Sequence, residues 1–218
     1  LTAAAALSRS ADFAGVDIIC LPEVPFEMDK FIEKVKEVAA TKASVLIAIS
    51  EGVALADGRY VCELGDGGAR VDAFGHKNMT GTCRYLAGII EKEVGVRARP
   101  IELSLLQRCA GHLTSGNDIN EAYQCGGTAV NAAIKGESGV TVIMKRVSSA
   151  PYCIEFDLAP TSALANFEKK IPLEWISEDG IGLLQPFYDY ANPLIQNEFN
   201  PLYVNGLPHH LVANNEVK

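Results

Sequence analysis

Two kinds of side chain in this sequence have the chemistry to hold a small anionic substrate: carboxylates placed just after apolar runs, and arginines set close together. Glu23 and Glu51 follow the runs 17–21 and 44–49 almost directly. Short apolar runs of this type read as core strands, which puts both acids near strand carboxyl ends, the edge where open parallel sheets bind ligands. A carboxylate at that edge accepts hydrogen bonds from sugar hydroxyls. Gly52 lets the backbone turn after Glu51, and Pro22 and Pro25 stiffen the loop around Glu23. The competing reading for each is an exposed loop acid. Arg97, Arg99 and Arg108 lie on or just beyond 97–106, a segment that reads as extended, with Arg97 and Arg99 sharing a face by the two-residue period. Guanidinium grips phosphate through two parallel, charge-assisted hydrogen bonds. The competing reading is a set of arginines along a solvated sheet edge.

Other motifs lead away from chemistry. Gly65-Asp66-Gly67-Gly68 follows an apolar run in the manner of a phosphate-cradling turn, yet Ala69–Gly75 shows no helical period after it, so a surface loop is expected. The histidines His76, His112, His209 and His210 have no metal-ligand spacing. Ser50 lacks the glycine-flanked elbow of a hydrolase nucleophile. Asp118 and Glu121 open a helix, where a dipole role suffices. The six cysteines contain no closely spaced pair and read as buried free thiols of a reducing, cytoplasmic setting.

Those candidates need a scaffold, and the composition supplies one. Apolar residues are 48% and charged residues 21% of the 218, ordinary for a folded globular chain. A net charge of -8 with no basic patch argues against nucleic acid or an anionic membrane as partner, and the apolar runs are too short to span a bilayer. Leu1–Leu7 is apolar without a basic lead-in and reads as a helix entered in mid-protein. The missing initiator Met fits a truncated chain.

Along the chain, the first dozen residues read as an Ala-rich buried helix. A strand at 17–21, a helix carrying Met28, Phe31, Ile32, Val35 and Val38 inward, and a strand at 44–49 form a right-handed βαβ unit. Residues 51–79 are irregular. Thr80 or Thr82 caps a helix reaching Glu93, with Cys83, Leu86, Ile89 and Ile90 inward. Ser115 or Asn117 caps a long helix that turns Ile119, Ala122, Tyr123, Gly126, Ala129, Val130, Ala133 and Ile134 to a core and stops at Gly136. Residues 140–145 and 152–158 form a hairpin. Prolines from Pro160 onward keep later helices short, and the polar end of the chain is expected to be partly disordered.

With these residues in place, the chain resembles the phosphofructokinase family along nearly its whole length. Leu1-Thr2-Ala3-Ala4-Ala5 followed by Leu21-Pro22-Glu23-Val24-Pro25-Phe26 is similar to the segment after the family's Met-Gly-Arg motif. Ala48-Ile49-Ser50-Glu51-Gly52 is similar to the next strand with its sugar-binding glutamate. Arg99 through Gln107-Arg108 has the spacing of the arginine signature. Lys170–Ile176 and Tyr190–Gln196 resemble the tail of a bacterial branch assigned to diphosphate-dependent enzymes.

The resemblance implies that Glu51 hydrogen-bonds fructose hydroxyls, that Arg108 binds the 6-phosphate in its own subunit, and that Arg99 reaches the 6-phosphate of a neighbouring one. Gln107 falls within the same signature. Glu23 matches an effector-site glutamate of allosteric relatives. Leu105 stands where many relatives have histidine or tyrosine, so that hydrogen bond is lost here, and Cys109-Ala110 replaces a glycine pair. The fold implied is α/β, a Rossmann-like parallel-sheet lobe with part of a second lobe. Residues 1–110 are expected as the sugar-phosphate-binding lobe, 111–160 as a segment crossing to the donor lobe, and 161–218 as carboxy-terminal helices and tail. The activity implied is transfer of phosphate from diphosphate, with ATP as alternative donor, to the 1-hydroxyl of fructose 6-phosphate in a homodimer or homotetramer. The base, the donor motif and the magnesium ligands are expected upstream of Leu1, leaving the isolated chain inactive. Competing readings are a non-catalytic sugar-phosphate-binding module and a generic nucleotide binder, the latter disfavoured because no GxGxxG opens a helix.

Overall fold

Ile18, Ile19, Cys20 and Leu21 are all buried, and they divide between two cores by the two-residue period of a strand. A strand buried on both faces needs a layer on each side, and the computed structural model, which describes residues 1–65, 70–71 and 77–209, supplies both. The chain forms two compact units, Leu1–Glu102 with Glu168–Ala191, and Leu103–Phe167 with the segment that begins at Asn192.

In the first unit, strand β1 (Ile18–Cys20) pairs in parallel with β2 (Ile47–Ile49), joined by helix α1 (Met28–Ala39). Ile18 and Cys20 face α1 and α2 (Thr82–Glu93) in a core with Phe26, Phe31, Val35, Val53, Val61, Leu86 and Ile90. Ile19 and Leu21 face the opposite layer: a short 3₁₀ helix (Ala3–Ser8), Ile176, and Phe187 and Ala191 from a carboxy-terminal helix, with Trp175 packed alongside. The spacing expected for α1 holds: Phe31, Ile32 and Val35 are buried, with Met28 packed against the core. Asp17 accepts from the Leu46 amide at 2.9 Å and pairs with Lys42, which ties the entry of β1 to that of β2.

Two expectations change in this unit. The opening helix is one six-residue 3₁₀ element rather than a dozen residues of α-helix. The chain reverses immediately after it: Gly15 has φ 71°, and a Cβ there would lie 2.8 Å from the Arg9 nitrogen, so a continuing helix has no room. α2 is capped by Gly81 at φ 94°, not by Thr80 or Thr82, and Thr82 is its first, buried residue. The Gly65–Gly68 turn falls mostly outside the described residues, as do His76, His210 and the end of the chain; after the turn, β3 (Arg70–Val71) and β4 (Lys77–Asn78) pair antiparallel.

The second unit starts with α3 (Ser104–Cys109), followed by α4 (Gly116–Ile134). The expectation of an extended segment through Leu106 is thus corrected. Leu, Gln and Arg are strong helix formers, and with no neighbouring strand to pair with, local propensity decides. Ser115 caps α4 as expected, its Oγ accepting from the Asp118 amide at 3.2 Å, and Gly136 at φ 84° follows the last turn. A hairpin of β5 (Val140–Ser149) and β6 (Tyr152–Pro160) packs on α4 with a register shift between Arg146 and Ser148. α5 (Gln185–Ala191) belongs to the first unit; in the second, β7 (Tyr203–Val204) and β8 (Leu207–Pro208) close a small turn. The inward face expected of α4 is not buried within its unit: Tyr123 is 83% and Ile134 78% exposed, and only Gly116 and Ala132 are buried.

Candidate functional site

Because β1 and β2 run parallel, Glu23 and Glu51 emerge at the same edge of the sheet, as the strand readings require. They differ in environment. Glu23 is no solvated acid: its Oε1 accepts from the Ile171 amide at 3.0 Å, and its Oε2 is buried without a partner among the described residues. Glu51 is exposed. Its backbone is fixed, since the Thr82 hydroxyl donates to the Glu51 carbonyl at 3.4 Å and the Ser50 hydroxyl accepts from the Gly52 amide at 3.3 Å. A Cβ on Gly52 would meet only ordinary contacts, so the turn does not depend on glycine there.

Sequence reasoning missed Glu102 and gave Thr82 only a capping role. The Glu102 carboxylate accepts from the Gly81 amide at 3.2 Å, which ties the residues after Arg99 to the start of α2. Burial, reinforced by the charges of Glu102 and Glu51, pushes the half-buried Cys83 thiol up, so both carboxylates act on one spot at the head of α2. The available signal was a threonine and a glycine at a helix start; the distant glutamate had none. Arg97 and Arg99 are exposed on either side of Ala98, which packs toward the core and donates its amide to Glu91 at 3.0 Å.

Leu105, Gln107 and Arg108 lie in the second unit, on α3. All three are exposed, with Leu105 at 68%. Leu105 and Arg108 stand three residues apart and share a helix face. Arg108 and Arg99 have no hydrogen bond or ion pair among the described residues, which leaves both guanidinium forks available to an anion.

Elsewhere in the second unit, the Tyr152 hydroxyl donates to Glu121 at 2.6 Å, and the Arg146 guanidinium lies 4.8 Å from the ring centroid. Burial and the Glu121 carboxylate raise the Tyr152 pKa to about 12. Glu121 therefore does more than face the helix dipole: it anchors the hairpin to α4. A cleft of about 610 Å³ between α4 and the hairpin is lined by Cys125, Ala129, Glu137 and Leu158 among others, with no cation and none of the expected site residues. It does not suit a phosphorylated ligand. Of the cysteines, none forms a disulfide among the described residues, and the expectation of buried thiols holds for Cys20 and Cys62 but not for Cys109 and Cys153, which are exposed.

The comparisons agree with this architecture. A family model described as Phosphofructokinase matches residues 1–142. The pyrophosphate–fructose 6-phosphate 1-phosphotransferase of Methylococcus capsulatus is 36% identical over 198 residues, covering 91% of this chain and 46% of that protein. The protein of the same name from Halomonas elongata is 34% identical over 208 residues, covering 95% and 49%. The crystal structure of a pyrophosphate-dependent phosphofructokinase from Nitrosospira multiformis superposes with a TM-score of 0.79 at 30% identity, over 96% of this chain and 48% of that one. The chain spans about half the length of the curated relatives it matches.

Proposed function

The chain belongs to the phosphofructokinase family, and from that premise we propose that it forms the sugar-phosphate-binding half of a phosphotransferase that moves phosphate from diphosphate to the 1-hydroxyl of fructose 6-phosphate. The observation that carries this reading is similarity over more than nine-tenths of the chain to proteins bearing that activity in their names. ATP is the competing donor.

In this reading Arg108 holds the 6-phosphate through its unpartnered fork, with Gln107 beside it, and Glu51 accepts hydrogen bonds from the fructose hydroxyls. Arg99 reaches the 6-phosphate bound to a neighbouring subunit, which calls for a homodimer or homotetramer. Leu105 offers apolar contact only. Residues 1–110 act as the sugar-phosphate lobe, 111–160 cross to the donor lobe of the family fold, and 161–218 form the carboxy-terminal helices and tail. That assignment gives the exposed face of α4 an occupant. Phosphoryl transfer depends on positioning and on charge stabilisation, and these residues supply the acceptor side of both. Among the described residues no group of three or more His, Cys, Asp and Glu gathers as a metal site. The magnesium that the family resemblance implies is assigned to the other half of the fold. No helix among the described residues is long and apolar enough to cross a membrane; a cytoplasmic location is part of the proposal.

The test is Arg108→Ala in the enzyme assembled from this chain and the amino-terminal half of the family fold. Loss of two charge-assisted hydrogen bonds raises the fructose 6-phosphate KM by about 100-fold. An unchanged KM would refute the role of Arg108. Arg99→Ala mixed with wild-type subunits recovers part of its loss if the site is shared between subunits.

A further inference from the structure

The first turn of α4 is gripped by the distant segment 193–197. The Ser115 hydroxyl donates to the Leu194 carbonyl at 2.8 Å, and the Asn117 side-chain amide donates to the Pro193 carbonyl at 2.6 Å. The Asn197 side-chain amide donates to the Asn117 side-chain oxygen, and the backbone amides of Gly116 and Asn117 donate to the Asn197 and Gln196 carbonyls. The approach is so close that a Cβ on Gly116 would lie 2.7 Å from the Asn197 carbonyl oxygen. Asn197 takes φ 65°, a left-handed conformation that asparagine tolerates better than most residues. With the Asp118 amide held by Ser115, the first-turn amides of α4 are satisfied inside the protein, so this helix start does not serve as an anion cradle.

The clasp has a consequence for α3. That helix buries none of its residues, and no side chain caps it. An exposed six-residue helix is not stable alone; it needs a fixed neighbour to hold one orientation. The clasp supplies a fixed point at Ser115–Asn117, shortly after Arg108. We infer that Gly116 and Asn117 are positioning residues: by docking on 193–197 they fix the connection that aims Gln107 and Arg108. This rests on the reading of Arg108 as the 6-phosphate ligand.

The experiment compares Asn117→Ala, Ser115→Ala, Ser115→Thr, Gly116→Ala and Arg108→Ala in the complete phosphotransferase, with both halves of the family fold present. Asn117→Ala removes two hydrogen bonds without adding bulk, and it raises the fructose 6-phosphate KM about tenfold. kcat and the diphosphate KM stay within about twofold in the same variant, because the clasp acts only on the sugar-phosphate grip. Hydrogen exchange over 104–117 accelerates in parallel. Ser115→Ala moves the same KM in the same direction, and Ser115→Thr, which keeps the hydroxyl, restores it. Gly116→Ala has the largest effect; where it fails to fold, Asn117→Ala still decides. An unchanged fructose 6-phosphate KM in Asn117→Ala, beside a large rise in Arg108→Ala, overturns the clasp and leaves the reading of Arg108 standing. An equal loss in all kinetic parameters also overturns it, as a stability effect. No rise in Arg108→Ala overturns both.

Discussion

The two units handle the same kind of sequence differently. In the first, every apolar residue of β1 has a layer to pack against, and the helical face of α1 meets that layer within the chain. In the second, α4 also carries apolar residues at helical spacing, yet Tyr123, Val130 and Ile134 stay exposed. Periodicity therefore reports that a face is built for burial, while the partner can lie outside the polypeptide that carries it. The difference also bears on function. Glu51 and Arg99 extend from a unit packed on both sides of its sheet, whereas Arg108 stands on a short helix that buries none of its residues.

The contrast breaks most sharply under core truncation. Phe31→Ala, in the buried face of α1, lowers stability by about 3–5 kcal/mol, read from denaturant midpoints of this chain. If Phe31→Ala costs no more than Tyr123→Ala, the first unit is not the better packed. Glu51→Gln comes next: the fold stays intact and the fructose 6-phosphate KM of the assembled enzyme rises about tenfold, for roughly one hydrogen bond to a charged group. A normal KM removes Glu51 from the site.

Acid tests the tie between the two strands of the first unit. Burial tends to raise the Asp17 pKa, but the hydrogen bonds from Lys42 and the Leu46 amide outweigh it, so the folded value is lowered. A lowered carboxylate pKa contributes stability that is present above its unfolded value, about 3.9, and is lost as pH falls through the folded one. Asp17→Asn therefore lowers stability at neutral pH by about 1–2 kcal/mol and flattens the acid limb of a melting-temperature profile below about pH 4. An acid limb identical to that of the parent protein removes Asp17 as its source.

The smallest effect sharpens the comparison. In this chain alone, Tyr123→Ser and Ile134→Ser change stability by less than about 0.5 kcal/mol, as for exposed positions. With the other half of the family fold bound, the same changes weaken association by about 1.5–3 kcal/mol each, the value of a buried apolar side chain. Equal, small effects in both states would show that the α4 face stays exposed in the complete fold.

Much of the first unit was legible in the residues. Two short apolar runs, a helical face between them and acids just after them suffice to expect parallel strands with carboxylates at one edge, because burial on both faces leaves little freedom in register or direction. The cap at Ser115 and the stop at Gly136 were equally local. The helix at Ser104–Cys109 was not, because alternation in a short segment competes with helix propensity and no strand was present to settle the matter. Glu102 and Asn197 could not be found from spacing at all. Each meets its partner across 21 and 80 residues respectively, and such pairings come from how the elements dock. Local pattern thus determined which residues form strands, helices and caps. Packing across long loops decided which acid is buried, which cysteine is shielded and which asparagine grips a distant turn, because those properties depend on neighbours that only the folded chain brings together.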